Sequence, residues 1–199
     1  IGIVLDEVVG NTNNLQKECL KLSRDNTERL VELINQVLEL SELEMGTRIL
    51  RRRRTDIAVL IGRAEEVLKK EVERYKVKLT VFRKGNDFRV NIDKERIERA
   101  ILNLLRNAII SSPEGGEVFL RVEEKDGFIQ VEIEDSGPGF TLKEQKALYE
   151  GWMAKWSKER RFRLNFTLGR KIIEAHEGKL WIESNPGKGS QFCFSLKKP

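Results

Sequence analysis

The sequence is poor in several residue types, and each scarcity removes a class of protein. Of 199 residues only two are cysteine, Cys19 and Cys193, and one is histidine, His176. Cysteines so far apart match neither a metal-ligand nor a disulfide spacing. With a single histidine beside them, a structural zinc site has too few ligands. The low cysteine usage suits a reducing compartment, so a cytoplasmic location is expected. There are four prolines, and the apolar residues recur with long periodic patterns, which argues against intrinsic disorder. No apolar run is long enough to span a bilayer. No basic–apolar–small leader opens the chain either.

Apolar residues make up 39% and charged residues 35%. The first figure suffices for a packed core, and the second suits a heavily ion-paired surface of the thermophile kind. The length allows one domain, or a domain with a helical appendage. The net charge is +5, which raises a nucleic-acid reading. Its densest basic run is Arg51-Arg52-Arg53-Arg54. That run has no interleaved aromatics for base stacking, and charge runs of this length usually face solvent. No nucleic-acid partner is therefore expected.

Two regions are legible along the chain. Ile1 to Gly10 reads as the tail of an apolar helix, and Gly10 to Asn14 as a turn. A long helix follows over Leu15 to Met45, with Leu22, Leu30, Leu33, Ile34, Val37, Leu38, Leu40 and Leu43 at coiled-coil-like spacing. One hairpin cannot cover this apolar surface, so pairing into a four-helix bundle is expected. The second region begins with a short strand over Ile49 to Arg54 and a helix over Ile57 to Tyr75, capped by Thr55-Asp56. Strands over Lys78 to Phe82 and Phe88 to Ile92 come next, then an Asp93-capped helix with Ile97, Ala100, Ile101, Leu104, Leu105, Ala108 and Ile109 inward. Val118-Leu120-Val122 and Ile129-Val131-Ile133 alternate around Lys125-Asp126-Gly127, a hairpin signal. The stretch Leu142 to Arg163 is polar and ambiguous. A helix over Phe166 to Glu177 and strands over Lys179 to Glu183 and Gln191 to Leu196 close the chain. The pattern is α+β, a sheet with helices on one face.

Two constellations carry possible chemistry. Asn103 and Asn107 lie four apart and share a helix face. Their carboxamides could reach a metal and phosphates, or simply sit at the boundary of the core. Asp135-Ser136-Gly137-Pro138-Gly139 follows a strand. A carboxylate there can accept a hydrogen bond from an exocyclic amine such as that of adenine, and the glycines permit close backbone approach. A tight turn explains the same residues.

Five blocks follow one another along the chain: Ile101-Leu102-Asn103-Leu104-Leu105-Arg106-Asn107-Ala108-Ile109, Ser112-Pro113-Glu114-Gly115-Gly116, Asp135 to Gly139, Glu174-Ala175-His176-Glu177-Gly178 and Pro186-Gly187-Lys188-Gly189-Ser190-Gln191-Phe192. In this order they resemble the sensor histidine kinases. Upstream, Arg29-Leu30 and Leu33 to Ser41 resemble the second helix of that family's dimerisation hairpin. The resemblance implies a helical dimerisation hairpin over 1–47, incomplete at its start. A two-layer α/β sandwich of the histidine-kinase ATPase type would occupy 48–199. It implies ATP and Mg²⁺ as cofactors. Asn107 would ligate the metal, Asn103 would line the phosphate end, and Asp135 would read the adenine. Gly137, Gly139 and Ser190 would complete the nucleotide-binding set. Implied partners are a second copy or a related kinase, and the receiver domain of a response regulator.

The sequence departs from the family pattern at the phosphate end. Ile110 and Ser111 stand where a lysine and an aromatic residue are common. Arg163-Leu164-Asn165-Phe166 stands where the second glycine box should end, with both of its glycines replaced. Such a box offers backbone amides to phosphate at a helix start. The lid, with Trp152, Met153 and Trp156, looks short. His176 falls at a helix end and reads as a packing or capping residue, and the phosphoacceptor position falls upstream of Ile1. The expectation is therefore a catalytically impaired signalling protein that binds nucleotide weakly and acts by dimerising and docking. The competing expectation is an active ATP-dependent protein-histidine kinase whose phosphoacceptor histidine precedes Ile1.

Overall fold

The computed structural model describes residues 10, 12–45, 49–150 and 160–199. They divide into two compact units, one ending at Glu42 and the other starting at Leu43. The expected helix over residues 1–9 and the lid residues Trp152, Met153 and Trp156 lie outside the described residues.

The first unit is built on α1, Asn14–Glu44. Asn13 and Gln16 exchange side-chain and backbone hydrogen bonds at its start, satisfying N–H groups that a helix leaves open. No glycine or proline interrupts it. Leu22, Leu30, Ile34 and Leu38 are more than half exposed. Their four-residue spacing places them along one face.

The second unit contains β1 (Arg53–Asp56), α2 (Ile57–Tyr75), β2 (Lys78–Lys84), β3 (Arg89–Ile92), α3 (Lys94–Ser111) and β4 (Glu117–Lys125). After these come β5 (Phe128–Asp135), α4 (Leu142–Tyr149), α5 (Arg160–Ala175), β6 (Lys179–Ser184) and β7 (Ser190–Lys197). Asp56 caps α2 by accepting the Ala58 N–H at 2.8 Å. Asp93 caps α3 by accepting from Arg96. Both are the acceptor residues favoured at that position. The five-stranded sheet has the order β2-β4-β5-β7-β6. The β2–β4 pair is parallel and the other pairs are antiparallel. Alternation along the strands sends Val118, Leu120, Val122, Ile129, Val131, Ile133, Phe192, Phe194 and Leu196 to one face, where all are buried. Ile57, Leu60, Ile61, Ala64 and Leu68 of α2, with Ile97, Ile101, Leu104 and Leu105 of α3, are buried with them. The architecture is the expected α+β sandwich with a mixed sheet.

Two boundaries differ from the sequence reading. The first strand starts at Arg53 rather than Ile49 and pairs with β3 outside the main sheet. Its upstream arginines are held differently. The Arg51 N–H donates to Asp93 at 3.1 Å, and Arg52 donates to Glu177 and to the Ala175 carbonyl. Among the described residues helix α5 already includes Arg160, six residues before the expected Phe166. The stretch contains no glycine or proline to stop a helix. Leu164 and Leu168 are buried at helical spacing.

Candidate functional site

The candidate site lies where α3, α5 and the ends of β5 and β7 meet. Asp135 is the last residue of β5 and stands opposite Ser190, the first of β7. Its carboxylate is buried and accepts the Gly137 N–H at 2.8 Å. Burial pushes its pKa from 3.8 up to about 6, against the opposing pull of backbone hydrogen bonds from Gly137 and Ser190. The result is a desolvated acceptor. Ser190 is buried, and its hydroxyl lies 3.0 Å from that of Ser184, which accepts the Phe140 N–H and donates to the Gly189 carbonyl.

The glycines here have a structural reason of their own. Gly139 has φ +69°, and a Cβ on it would stand 2.1 Å from the Asn185 carbonyl oxygen. Gly189 has φ +79°, and its Cβ would stand 1.9 Å from the Asp135 carbonyl oxygen. The loops after β5 and β6 therefore interlock main chain to main chain, sealed by the Gly187 N–H donating to Pro138 at 2.7 Å. A Cβ at Gly137 would collide with the Asp135 carboxylate at 2.6 Å. The space left by these absent side chains is filled by the protein itself.

The other end is made of side chains. Asn103 and Asn107 of α3 are buried, 3% and 7% exposed, and share one face. Facing them, Asn165 of α5 is 4% exposed, and its Nδ2 donates to Asn107 Oδ1 at 2.9 Å. Among the described residues, Asn103 Nδ2 and Asn107 Nδ2 have no hydrogen-bond partner. Because α5 includes Arg160, residues 164–166 lie inside it. Each of their N–H groups turns back to the carbonyl four residues earlier. No fan of free amides remains where the second glycine box would offer one. The early turns of α5 are fixed by aromatic packing. Phe162 stacks 5.0 Å from Phe140 and 5.5 Å from Phe192, and Phe166 lies 6.0 Å from Phe192 and 5.5 Å from Tyr149.

A divalent cation takes hard oxygen ligands along their lone pairs. Asn107 Oδ1 instead meets the partial positive charge of an N–H. Among the described residues no group of three or more His, Cys, Asp or Glu side chains could hold a metal. With one of its two lone pairs taken by the Asn165 N–H, Asn107 Oδ1 is a poorer ligand for Mg²⁺, because a cation there would stand beside that N–H's partial positive charge.

The structure thus brings together Asp135, Gly137, Gly139 and Ser190 at one end and Asn103 and Asn107 at the other. The sequence showed Asn165 as a missing glycine but not as a hydrogen-bond donor to Asn107. Its only signal is a polar residue between Leu164 and Phe166, both buried. His176 is buried away from any role as a nucleophile. Its Nε2 accepts the Asp93 N–H at 2.9 Å and its Nδ1 donates to the Ile172 carbonyl at 2.7 Å. Burial holds its pKa below the ordinary 6.5.

Residues 92–199 match the family model described as histidine kinase-, DNA gyrase B- and HSP90-like ATPase. The alginate biosynthesis sensor protein KinB of Pseudomonas aeruginosa is 31% identical over 171 residues, covering 84% of this chain and 28% of that protein. The chain spans about a quarter of the length of such relatives. The fold is shared by the Acinetobacter baumannii histidine kinase AdeS, with a TM-score of 0.74, 20% identity and coverage of 98% of this chain and 90% of that one. Histidine kinase ThkA in complex with response regulator protein TrrA shares it with a TM-score of 0.75, 23% identity and coverage of 100% and 56%. Among the described residues no helix is long and apolar enough to cross a membrane. Because residues 92–199, more than half of its length, match that family model, the chain belongs to the histidine kinase-, DNA gyrase B- and HSP90-like ATPase family, with an ATP-binding domain of the sensor histidine kinase kind.

Proposed function

We propose that the chain is the core of a sensor histidine kinase-like protein of two-component signalling, impaired in phosphoryl transfer, which acts by dimerising and by docking related kinases or response regulators. The observation that carries this reading is the hydrogen bond from Asn165 to Asn107. It occupies the oxygen on which the family resemblance places Mg²⁺. The long start of α5 removes the backbone amides from the phosphate end, and Ile110 and Ser111 supply no cation there. Phosphoryl transfer rests on charge neutralisation and positioning, so these losses fall on its most demanding step. The exposed apolar face of α1 supports dimerisation. The complex of ThkA with a response regulator supports a receiver domain as a docking partner.

The buried acceptor at Asp135 and the neighbouring Ser190 support retention of adenine recognition, and they favour the second reading, an active kinase phosphorylated on a histidine upstream of Ile1. Calorimetry with ATP and ADP separates the two. Each missing charge-assisted hydrogen bond is worth about 1.5–3 kcal/mol, so binding is expected to be weak and nearly equal for the two nucleotides. Tight, Mg²⁺-dependent ATP binding that is abolished by Asn107→Ala would overturn the impaired reading and restore the kinase.

A further inference from the structure

This inference rests on the reading of a nucleotide site altered at its phosphate end, and it names what that end now accepts. We infer that Asn165 stands in for the divalent cation, so that the site takes an adenine nucleotide free of Mg²⁺, with bare phosphate oxygens accepting from the carboxamides of Asn103 and Asn107.

The argument begins with which atoms are satisfied. The Asn165 amide engages Asn107 Oδ1 at 2.9 Å in a buried contact between α5 and α3. Asn107 is then left with its Nδ2 unpaired, and one turn earlier Asn103 Nδ2 is unpaired as well. Both side chains are more than nine-tenths buried. Buried donors without partners are few in folded proteins, because each forfeits its hydration with nothing in return. A cation cannot relieve an N–H donor. An anionic oxygen can, and hydrogen bonds to such an oxygen are the stronger kind.

The same contact works against the metal. Mg²⁺ demands near-ideal oxygen geometry and gives up its waters reluctantly. At Asn107 it would have to share Oδ1 with an amide held by a helix that is anchored through Phe162 and Phe166. The partial positive charge of that amide is already in place and needs no ion. The backbone amides that cradle phosphate elsewhere are folded into α5, so the remaining donors are side chains on α3. The adenine end, with Asp135 and Ser190, limits the ligand class to adenine nucleotides.

The test is titration of the full chain with ADP, once in excess EDTA and once in excess Mg²⁺. It uses the wild type, Asn165→Gly and Asn165→Ala, the alanine variant retaining helix propensity. Circular dichroism confirms that each variant is folded. For the wild type the two dissociation constants should agree within about threefold. Both variants should become Mg²⁺-dependent, binding about tenfold more tightly with the ion than without it. Wild-type binding that is tenfold tighter in Mg²⁺, variants indifferent to Mg²⁺, or no wild-type ADP binding in EDTA would each overturn the inference. A parallel assay of phosphoryl transfer from ATP to a histidine-bearing kinase hairpin keeps the two readings apart. Transfer would sink the impaired-kinase reading. Mg²⁺-enhanced binding without transfer would sink only this one.

Discussion

The two ends of the candidate site are made of different material. At the Asp135 end two loops interlock through main chain, and positions 139 and 189 have no room for even a methyl group. At the Asn107 end two helices face each other through carboxamides, Asn103 and Asn107 on α3 and Asn165 on α5. A backbone-built end resists sequence change, because almost any substitution breaks the fold before it alters the chemistry. A side-chain-built end can exchange its ligand preference through one residue while the helices stay in place. The helical end is where this sequence departs from the family pattern.

The largest effect should come from removing the support of the helical end. Phe166 is fully buried and packs against Tyr149 and Phe192. Phe166→Ala should cost about 3–5 kcal/mol in urea unfolding, since the aromatic ring leaves a cavity that its neighbours cannot fill. A loss below about 1 kcal/mol would mean that α5 is not anchored there, and the contrast between the two ends would weaken.

The loop end should respond in the opposite sense. The folded pKa of Asp135 is about 6 against 3.8 for the free side chain. Between those values the folded chain binds the extra proton, so the Asp135 contribution to stability falls as pH rises through that window and stays low above it. Asp135→Asn should therefore stabilise the protein at neutral pH, by at most about 3 kcal/mol, and flatten its stability profile between pH about 4 and about 6. It should also remove preference for adenine over guanine nucleotides. Thermal unfolding across pH and a competition titration check the two halves. A destabilised variant would show that the carboxylate is structural.

The smallest effect lies at the far end of α3. His176 accepts the Asp93 N–H there and donates to the Ile172 carbonyl of α5, so it touches none of the site residues directly. Its folded pKa lies below 6.5, so the unfolded chain takes up the proton first as pH falls. The His176 contribution is complete above about 6.5 and is lost as pH falls below it. His176→Gln should cost about 1 kcal/mol at neutral pH, one neutral hydrogen bond, and remove that acid slope without changing nucleotide binding. A changed ADP affinity in this variant would couple the two ends of α3.

Much of this was legible in the residues. The Asp56 and Asp93 caps, the stripe from Ile97 to Ile109 and the alternation of β4 and β5 are local signals, and the elements form where those signals stand. The start of α5 was less legible. A glycine box predicts a loop before Phe166, but without its glycines the stretch from Arg160 onward carries no stop signal, and Phe162 packs against Phe192 of β7 and Phe140 of the loop after β5. Strand pairing was hidden for the same reason. Nothing in Lys78 to Ile92 says that β2 pairs with β4 while β3 pairs with β1.

The sequence by itself determined most of the elements and pointed to the family, because caps, periodicity and ordered motifs act over a few residues at a time. Only the tertiary structure decided that Asn165 meets Asn107, fifty-eight positions away in the chain, and that main chain crowds Gly139 and Gly189 too closely for a side chain. Those outcomes depend on which surfaces a helix and two loops bury together. Burial is what turns an ordinary asparagine into a fixed dipole and leaves its neighbours' donors without water.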